Sequence, residues 1–207
     1  MLIKRLKEKF KQDEPIFTKE ILSVMSDYSR PRVFQLINLA LKNNELVRFD
    51  NGVYCFPSKY GGTSVSLEQV VRKKYITNKD DVYGIYAGLS LDVYFLLSTQ
   101  IPQTIEIITN NETMNVRELK FKNRKVVLKK SRVKITKENE NAYKIMEFFS
   151  KLDVNDFLKD NMCKREVVSF IKENKITYSN IYALAPYFPT KSIKNMVKCG
   201  VYDEIAQ

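Results

Sequence analysis

Residues 16–56 constrain the fold more than any other stretch of the chain. They read Ile-Phe-Thr-Lys-Glu-Ile-Leu, a turn at 26–28, Ser-Arg-Pro-Arg-Val-Phe-Gln-Leu-Ile-Asn-Leu-Ala-Leu-Lys, and then Leu-Val-Arg-Phe-Asp-Asn-Gly-Val-Tyr-Cys-Phe. Thr18 is placed to cap a helix over residues 19–25, and Ser29 to cap a second. Pro31 sits early in that second helix, where its missing N–H costs nothing. Val33, Leu36, Ile37, Ala40 and Leu41 form its apolar stripe, and Asn43-Asn44 ends it. Asn51-Gly52 closes a hairpin. Leu2, Ile3, Leu6 and Phe10 predict a further helix ahead of these elements. In this order they predict a winged helix-turn-helix, a module whose second helix can enter the DNA major groove.

Packing the apolar stripes leaves the start of the second helix projecting, with Tyr28, Ser29, Arg30, Arg32 and Gln35 exposed. Arginine offers a two-pronged fork to guanine and glutamine does the same for adenine, while Ser and Tyr hydroxyls reach phosphate oxygens. Arg48 and Asn51 fall where a wing would meet the backbone or minor groove, and Lys59 follows. The same module can instead serve protein contacts alone.

Residues 57–64, Pro-Ser-Lys-Tyr-Gly-Gly-Thr-Ser, read as a linker. The expected domains are therefore 1–60 and 61–207. In the second, Ser66 caps a helix to about residue 74, and strands are expected at 82–86 and 104–109 around a helix at 89–97. A hairpin follows, with strands at 118–121 and 126–129 turning at 122–124, and a further strand at 133–135. Helices are then expected at 138–150, 164–172, 178–185 and 190–197. The predicted fold class is α+β: an N-terminal winged helix-turn-helix, then a mixed α/β domain with a basic hairpin and a helical C-terminal part.

The net charge of +11 favours a polyanionic partner. Much of the excess lies in residues 117–137, where Arg117, Lys120, Lys122, Arg124, Lys125, Lys129, Lys130, Arg132, Lys134 and Lys137 face one acid, Glu118. Two readings fit this segment. Alternate residues of a hairpin share a face, so several cations can line a phosphate-gripping surface; Lys122, Arg124 and Lys125 at its turn are the candidates. Equally, lysines guard an exposed sheet edge against pairing with another chain.

Other classes lose their equipment. Histidine is absent, which removes Ser-His-Asp and Cys-His catalysis and the commonest zinc ligand. No phosphate-cradling glycine motif occurs. Cys55, Cys163 and Cys199 have no metal-ligand spacing and read as reduced structural thiols of a cytoplasmic protein. No apolar run is long enough to span a bilayer, and the charged N-terminus is not a signal peptide. Glu118-Leu-Lys120, with Asp92 and Glu106 upstream, makes a restriction-nuclease pattern worth weighing, in which two carboxylates hold a metal and a lysine stands by the phosphate. Tyr83, Tyr86, Tyr94 and Phe95 read as core rather than base-stacking platforms.

Two stretches carry a family resemblance. Phe17-Thr18-Lys19-Glu20-Ile21-Leu22, Ser29-Arg30, Val33, Leu46, Arg48 and Gly52-Val53-Tyr54 match the N-terminal pattern of AbiEi-type antitoxins of type IV toxin–antitoxin (abortive infection) systems. Residues 83–110 resemble that family's next stretch, with Ser98-Thr-Gln-Ile-Pro102 the most specific part. The chain departs from the pattern at Leu97, where a glycine is common, and at Ala87-Gly88-Leu89. The resemblance covers roughly residues 15–135. It implies a repressor that binds inverted repeats in its own operon promoter. It further implies an antitoxin that counters a neighbouring nucleotidyltransferase-like toxin, without a stable complex. A dimer, or paired monomers on a palindromic operator, is expected. No cofactor, catalytic residue or metal is expected on this reading; the alternatives are a metal-dependent nuclease on the second domain or a winged-helix interaction module.

Overall fold

The computed structural model describes residues 1–121 and 124–205 and divides the chain into two compact units, Met1–Lys74 and Tyr75–Gln207. Both combine helices with sheet, so the fold is mixed α+β.

The first unit runs α1 (Leu2–Lys9), β1 (Ile16–Phe17), α2 (Thr18–Val24), α3 (Arg30–Lys42), β2 (Val47–Asp50), β3 (Val53–Cys55) and α4 (Leu67–Tyr75, whose last residue crosses the boundary). The sheet order is β1-β3-β2, all antiparallel. β3 is buried on both faces. Tyr54 packs with Leu2, Leu6, Ile21, Val33 and Ile37, the core beneath α1–α3. Val53 and Cys55 point the other way, into a cluster with Phe17, Val65 and Val70, so α4 covers the sheet's second face. For this reason the unit extends to Lys74 rather than ending near residue 60. Residues 57–64 are a closed turn, not an open linker. Pro57 bridges Thr63, and the Ser64 hydroxyl donates to the Gln12 and Phe56 carbonyls at 3.0 and 3.1 Å.

The caps differ in part from expectation. Ser66 and Gln69 cap α4 reciprocally: the Gln69 N–H donates to Ser66 Oγ at 3.2 Å and the Ser66 N–H to Gln69 Oε1 at 2.7 Å. At α2 the cap falls one residue earlier, because Glu20 Oε2 takes the Phe17 N–H at 2.8 Å. Thr18 is thereby free to bond the hairpin turn, its N–H donating to the Gly52 carbonyl at 3.0 Å and its hydroxyl at 3.3 Å. Gly52 has φ +71°, the left-handed conformation this turn demands.

In the second unit β6 (Gly84–Ala87), β7 (Thr104–Thr109), β8 (Val116–Phe121) and β9 (Arg124–Lys130) form a sheet ordered β6-β7-β9-β8, with β7 and β9 parallel. A small hairpin of β4 (Thr77–Asn78) and β5 (Asp81–Val82) precedes it. The single strand expected at 82–86 is broken, since the Tyr83 and Gly84 amides both donate to the Ile76 carbonyl. Helices α5 (Leu89–Tyr94), α6 (Glu140–Lys151), α7 (Val154–Lys159), α8 (Asn161–Glu173), α9 (Tyr178–Leu184) and α10 (Lys191–Lys198) complete it. α6 is buried nearly all round and is the centre of the core, packing with Ile85, Ala87 and Ile108 of the sheet. Phe95, Phe148, Phe149, Phe157 and Phe170 meet edge to face around it.

Residues 133–135 form no strand. The Asn110 side chain holds this segment in place of a strand partner: its Nδ2 donates to the Ile135 carbonyl at 2.7 Å, and its Oδ1 accepts from the Ile135 N–H and Ser131 hydroxyl, both at 2.9 Å. α5 also ends sooner than the expected 97. The Leu97 N–H reaches the Asp92 carbonyl and the Leu96 N–H that of Val93, with Leu96 left-handed at φ 60°. In this helix-ending motif the left-handed residue is usually glycine. The residue that would favour glycine is therefore Leu96, not Leu97.

Candidate nucleic-acid interface

Ser29 occupies the N-cap position of α3, but its hydroxyl makes no capping bond, and Pro31 falls in the first turn as expected. Arg30, Arg32 and Gln35 are exposed. Arg30 stacks over the Phe34 ring at 5.8 Å, and Arg32 Nη1 donates to Gln35 Oε1 at 3.1 Å. The second contact joins two of the base-reading candidates into one pre-ordered group. Opposite the buried Val33, Ile37 and Ala40, the exposed face of α3 also carries Asn38, Leu39 and Lys42. Asn38 and Lys42 continue the polar stripe of Arg32 and Gln35 at helical spacing, and sequence reading passed over them.

Tyr28 differs from the rest. It is half-buried, its hydroxyl donates to Met1 Sδ at 3.1 Å, and Arg5 lies over its ring at 5.7 Å. Arg5 also grips Asp27 through both guanidinium nitrogens, which holds the Asp27 carboxyl below its usual range. Tyr28 and Asp27 thus tie the α2–α3 turn to α1.

In the hairpin Arg48 is exposed opposite Tyr54, over whose ring it stacks at 5.9 Å. Asn51 is exposed at the turn, its N–H donating to Asp50 Oδ1 at 2.7 Å. Lys59 is exposed in the closed turn at 57–64.

The basic segment of the second unit is less free than its composition implies. Lys122 lies outside the described residues. Arg124 is exposed, whereas Lys125 pairs with Glu118 at 2.6 Å. Arg117 faces Glu112, Lys129 pairs with Glu106, and Arg132 faces Glu147. These carboxylates, Glu118 apart, come from outside the segment. The cations also divide between faces: register puts Lys120, Lys125 and Lys129 on one side of the sheet and Arg117 and Arg124 on the other. β8, the carrier of Arg117 and Lys120, is an edge strand, the setting in which charge prevents edge pairing.

The same register bears on the nuclease pattern. Glu106 pairs with Val127, which pairs with Glu118, so β9 lies between the two and their backbones stand roughly 10 Å apart on one face of the sheet. Each carboxylate is paired with a lysine, Glu106 with Lys129 and Glu118 with Lys125, and no group of three metal-ligating side chains occurs among the described residues. Ser98 to Pro102 form an irregular stretch between α5 and β7, with Ile101 82% exposed. No helix among the described residues is long and apolar enough to cross a membrane. No protein-family model matches the chain, and no curated protein matches it.

Proposed function

We propose that the chain is a DNA-binding transcriptional repressor whose first unit is a winged helix-turn-helix. The carrying observation is the exposed face of α3, which makes no ion pair and where Arg32 and Gln35 are joined by a hydrogen bond and followed by Asn38 and Lys42. The order α1, β1, α2, α3, β2, β3 supports the reading, with α3 as recognition helix and the β2–β3 hairpin as wing. On this reading Arg30 and Arg32 contact base edges or phosphates, Gln35 reads a base, and Arg48, Asn51 and Lys59 hold the backbone. The resemblance at residues 17–22 and 98–102 extends the proposal: the DNA is the chain's own promoter with inverted repeats, bound by paired copies. The chain would also act as antitoxin against a nucleotidyltransferase-like toxin encoded alongside.

The test is mobility shift of the upstream promoter DNA across a salt series. Arg32→Ala should weaken binding by about 10- to 100-fold if it reads a base. Arg48→Ala should lower the slope of log affinity against log salt by about one, the signature of a lost phosphate contact. No shift at low salt overturns the repressor reading. The antitoxin half is tested separately, by growth rescue when the chain is co-expressed with the neighbouring gene product.

A further inference from the structure

The chain leaving β9 is anchored residue by residue. The Ser131 N–H donates to the Thr109 carbonyl at 3.1 Å and its hydroxyl to Asn110 Oδ1 at 2.9 Å. The Arg132 N–H donates to the hydroxyl of buried Tyr143 at 2.9 Å. The Arg132 side chain is held twice more: its guanidinium lies over the Phe188 ring at 5.4 Å, and its Nε stands 3.8 Å from Glu147 Oε2. Glu147 is 2% exposed, and its other oxygen pairs with Lys151 Nζ at 3.0 Å. One sealed carboxylate thus draws an arginine and a lysine from different elements to the same point. Their own side chains stay 41% and 48% exposed, and the Arg132 Nη nitrogens make no hydrogen bond among the described residues.

This corner borders a cleft of about 400 Å³ within the second unit. Asn115, Lys129, Lys130, Arg132 and Lys151 line it, with Glu147 as its one acid. Lys129 is held by Glu106, whereas Lys130 is exposed and makes no ion pair among the described residues. Four cations therefore stand against two carboxylates, Glu106 and Glu147, both already engaged. Stability alone is served by giving each cation its own acid, as with Lys144 and Glu140 or Lys172 and Glu204. Cations gathered on a concave wall instead repel one another and focus a positive field into the space they enclose. An excess of two charges calls for an anion bearing more than one, and a free guanidinium fork matches two oxygens of an oxyanion.

We propose that this cleft binds a small phosphate-bearing anion. The Arg132 fork takes two phosphate oxygens, and Lys130 and Lys151 meet the others as point charges. Glu147, sealed beneath, holds two of these cations and touches no ligand. The volume lies in the range of small-molecule sites and exceeds the needs of one phosphate group, so a chain of phosphates fits it better than a single one. The site stands or falls independently of DNA binding by the first unit.

The test is calorimetric titration of the full chain in EDTA at physiological ionic strength. The probes are inorganic phosphate, pyrophosphate, triphosphate, ATP and citrate. Pyrophosphate or triphosphate should bind one to one with a Kd below about 1 mM, more tightly than phosphate or citrate. Equal affinity for triphosphate and ATP assigns the cleft to free polyphosphates, and tighter ATP assigns it to nucleotides. Arg132→Gln should weaken binding about tenfold. Lys130→Gln, at an exposed position, should weaken it about threefold or more and covers the case in which the first variant unfolds. Arg124→Gln is the control: it removes the same charge from the other end of β9, roughly 20 Å away, and should leave the affinity unchanged. No saturable binding of pyrophosphate, triphosphate or ATP up to about 5 mM overturns the proposal. Binding that Arg124→Gln weakens as much as Arg132→Gln or Lys130→Gln also overturns it, since net charge alone would then explain it. So does citrate binding as tightly as triphosphate. An oligonucleotide that depends on Arg132 and outcompetes every small phosphate would overturn it in favour of a nucleic-acid backbone.

Discussion

Lys73 is the residue on which the first unit should prove most sensitive. Its side chain is only 9% exposed, on the helix α4 that covers the second face of the sheet. The ammonium donates to Glu14 Oε1 at 2.8 Å and to the Pro15 carbonyl at 2.7 Å, and it pairs with Glu20 at 2.9 Å. It also lies over the Phe10 and Phe17 rings at 4.9 and 5.5 Å. Removing one partner of a buried ion pair costs about 3–5 kcal/mol, because the other charge stays behind. Here the carboxylates keep some water, at 28% and 18% exposed, which points to the lower end of that range. Lys73→Met preserves the stem over the rings but leaves Glu14 and Glu20 facing each other, so we expect a loss of about 3 kcal/mol. The assay is native-state hydrogen exchange on the full chain, which reads each unit separately. Amides of α2 and α4 should exchange roughly 100-fold faster, and those of α8 should not change. Adding Glu14→Gln and Glu20→Gln should recover most of the loss, since an amide oxygen at position 20 can still accept the Phe17 N–H. A loss under about 0.5 kcal/mol, or a triple variant no better than the single, would refute the buried-charge account.

Leu96→Gly should stabilise the second unit by about 1 kcal/mol, since it relieves a left-handed leucine at the end of α5; a thermal melt shifted upward is the check. Gly88→Ala should act the other way, by about 1–3 kcal/mol, because φ +55° and the Glu106 carboxylate both resist a Cβ. Adding Glu106→Ala should return part of that loss in the same melt, and no recovery would mean that the backbone alone matters. Alkaline pH should weaken the second unit. Burial raises the Cys163 thiol and the Tyr143 hydroxyl to about 12 from ordinary values of 9.0 and 10.0. Above those ordinary values the unfolded chain releases protons that the folded chain keeps, so stability falls as pH rises from about 9 toward 12. Urea midpoints at rising pH measure this; burial also raises the Cys199 thiol, so the decline should begin about one unit later only when Cys163→Ala and Cys199→Ala are combined.

Much of the fold was legible because local and tertiary demands agree. β7 is a run of β-branched residues between Pro102 and Asn110-Asn111, and it forms at the expected residues. α3, α6 and α8 follow their apolar stripes to within a few residues. α7 carries little periodic signal because it is short and buries only Phe157, although Asp153, which accepts the Asn155 N–H, is a readable cap. The extent of the first unit was not legible. It depends on Lys73 being buried by distant carboxylates, whereas a lysine near a helix end normally reads as solvated. Glu147 was hidden in the same way, since a charge beside the stripe of Ala142, Ile145 and Met146 suggests an outer face. Leu96 has no local signal at all: nothing in Tyr-Phe-Leu-Leu-Ser announces a left-handed turn at a leucine.

Each unit holds part of its positive charge in ion pairs, and this bears on where phosphate affinity resides. Residues 1–74 carry 14 Lys and Arg against 8 Asp and Glu. Among the described residues Arg30, Arg32, Lys42 and Arg48 make no ion pair, while Arg5 and Lys73 do. In the basic segment of the second unit Arg117, Lys125, Lys129 and Arg132 each already face a carboxylate, whereas Lys120, Arg124, Lys130, Lys134 and Lys137 make no ion pair among the described residues. A cation with an internal partner must give it up, or share it, before it can neutralise a phosphate, so it releases fewer counterions per contact. A free arginine on a helix face makes the phosphate contact at no such cost. Composition alone therefore overstates how many cations of residues 117–137 are free to meet a phosphate. The paired charges of the second unit are better suited to fixing the walls of a small cleft, where Glu106 holds Lys129 and Glu147 holds Lys151 at defined positions. On the proposed repressor reading, the charges that would grip DNA are those in no ion pair on α3 and the hairpin that follows it, Arg30, Arg32, Lys42 and Arg48.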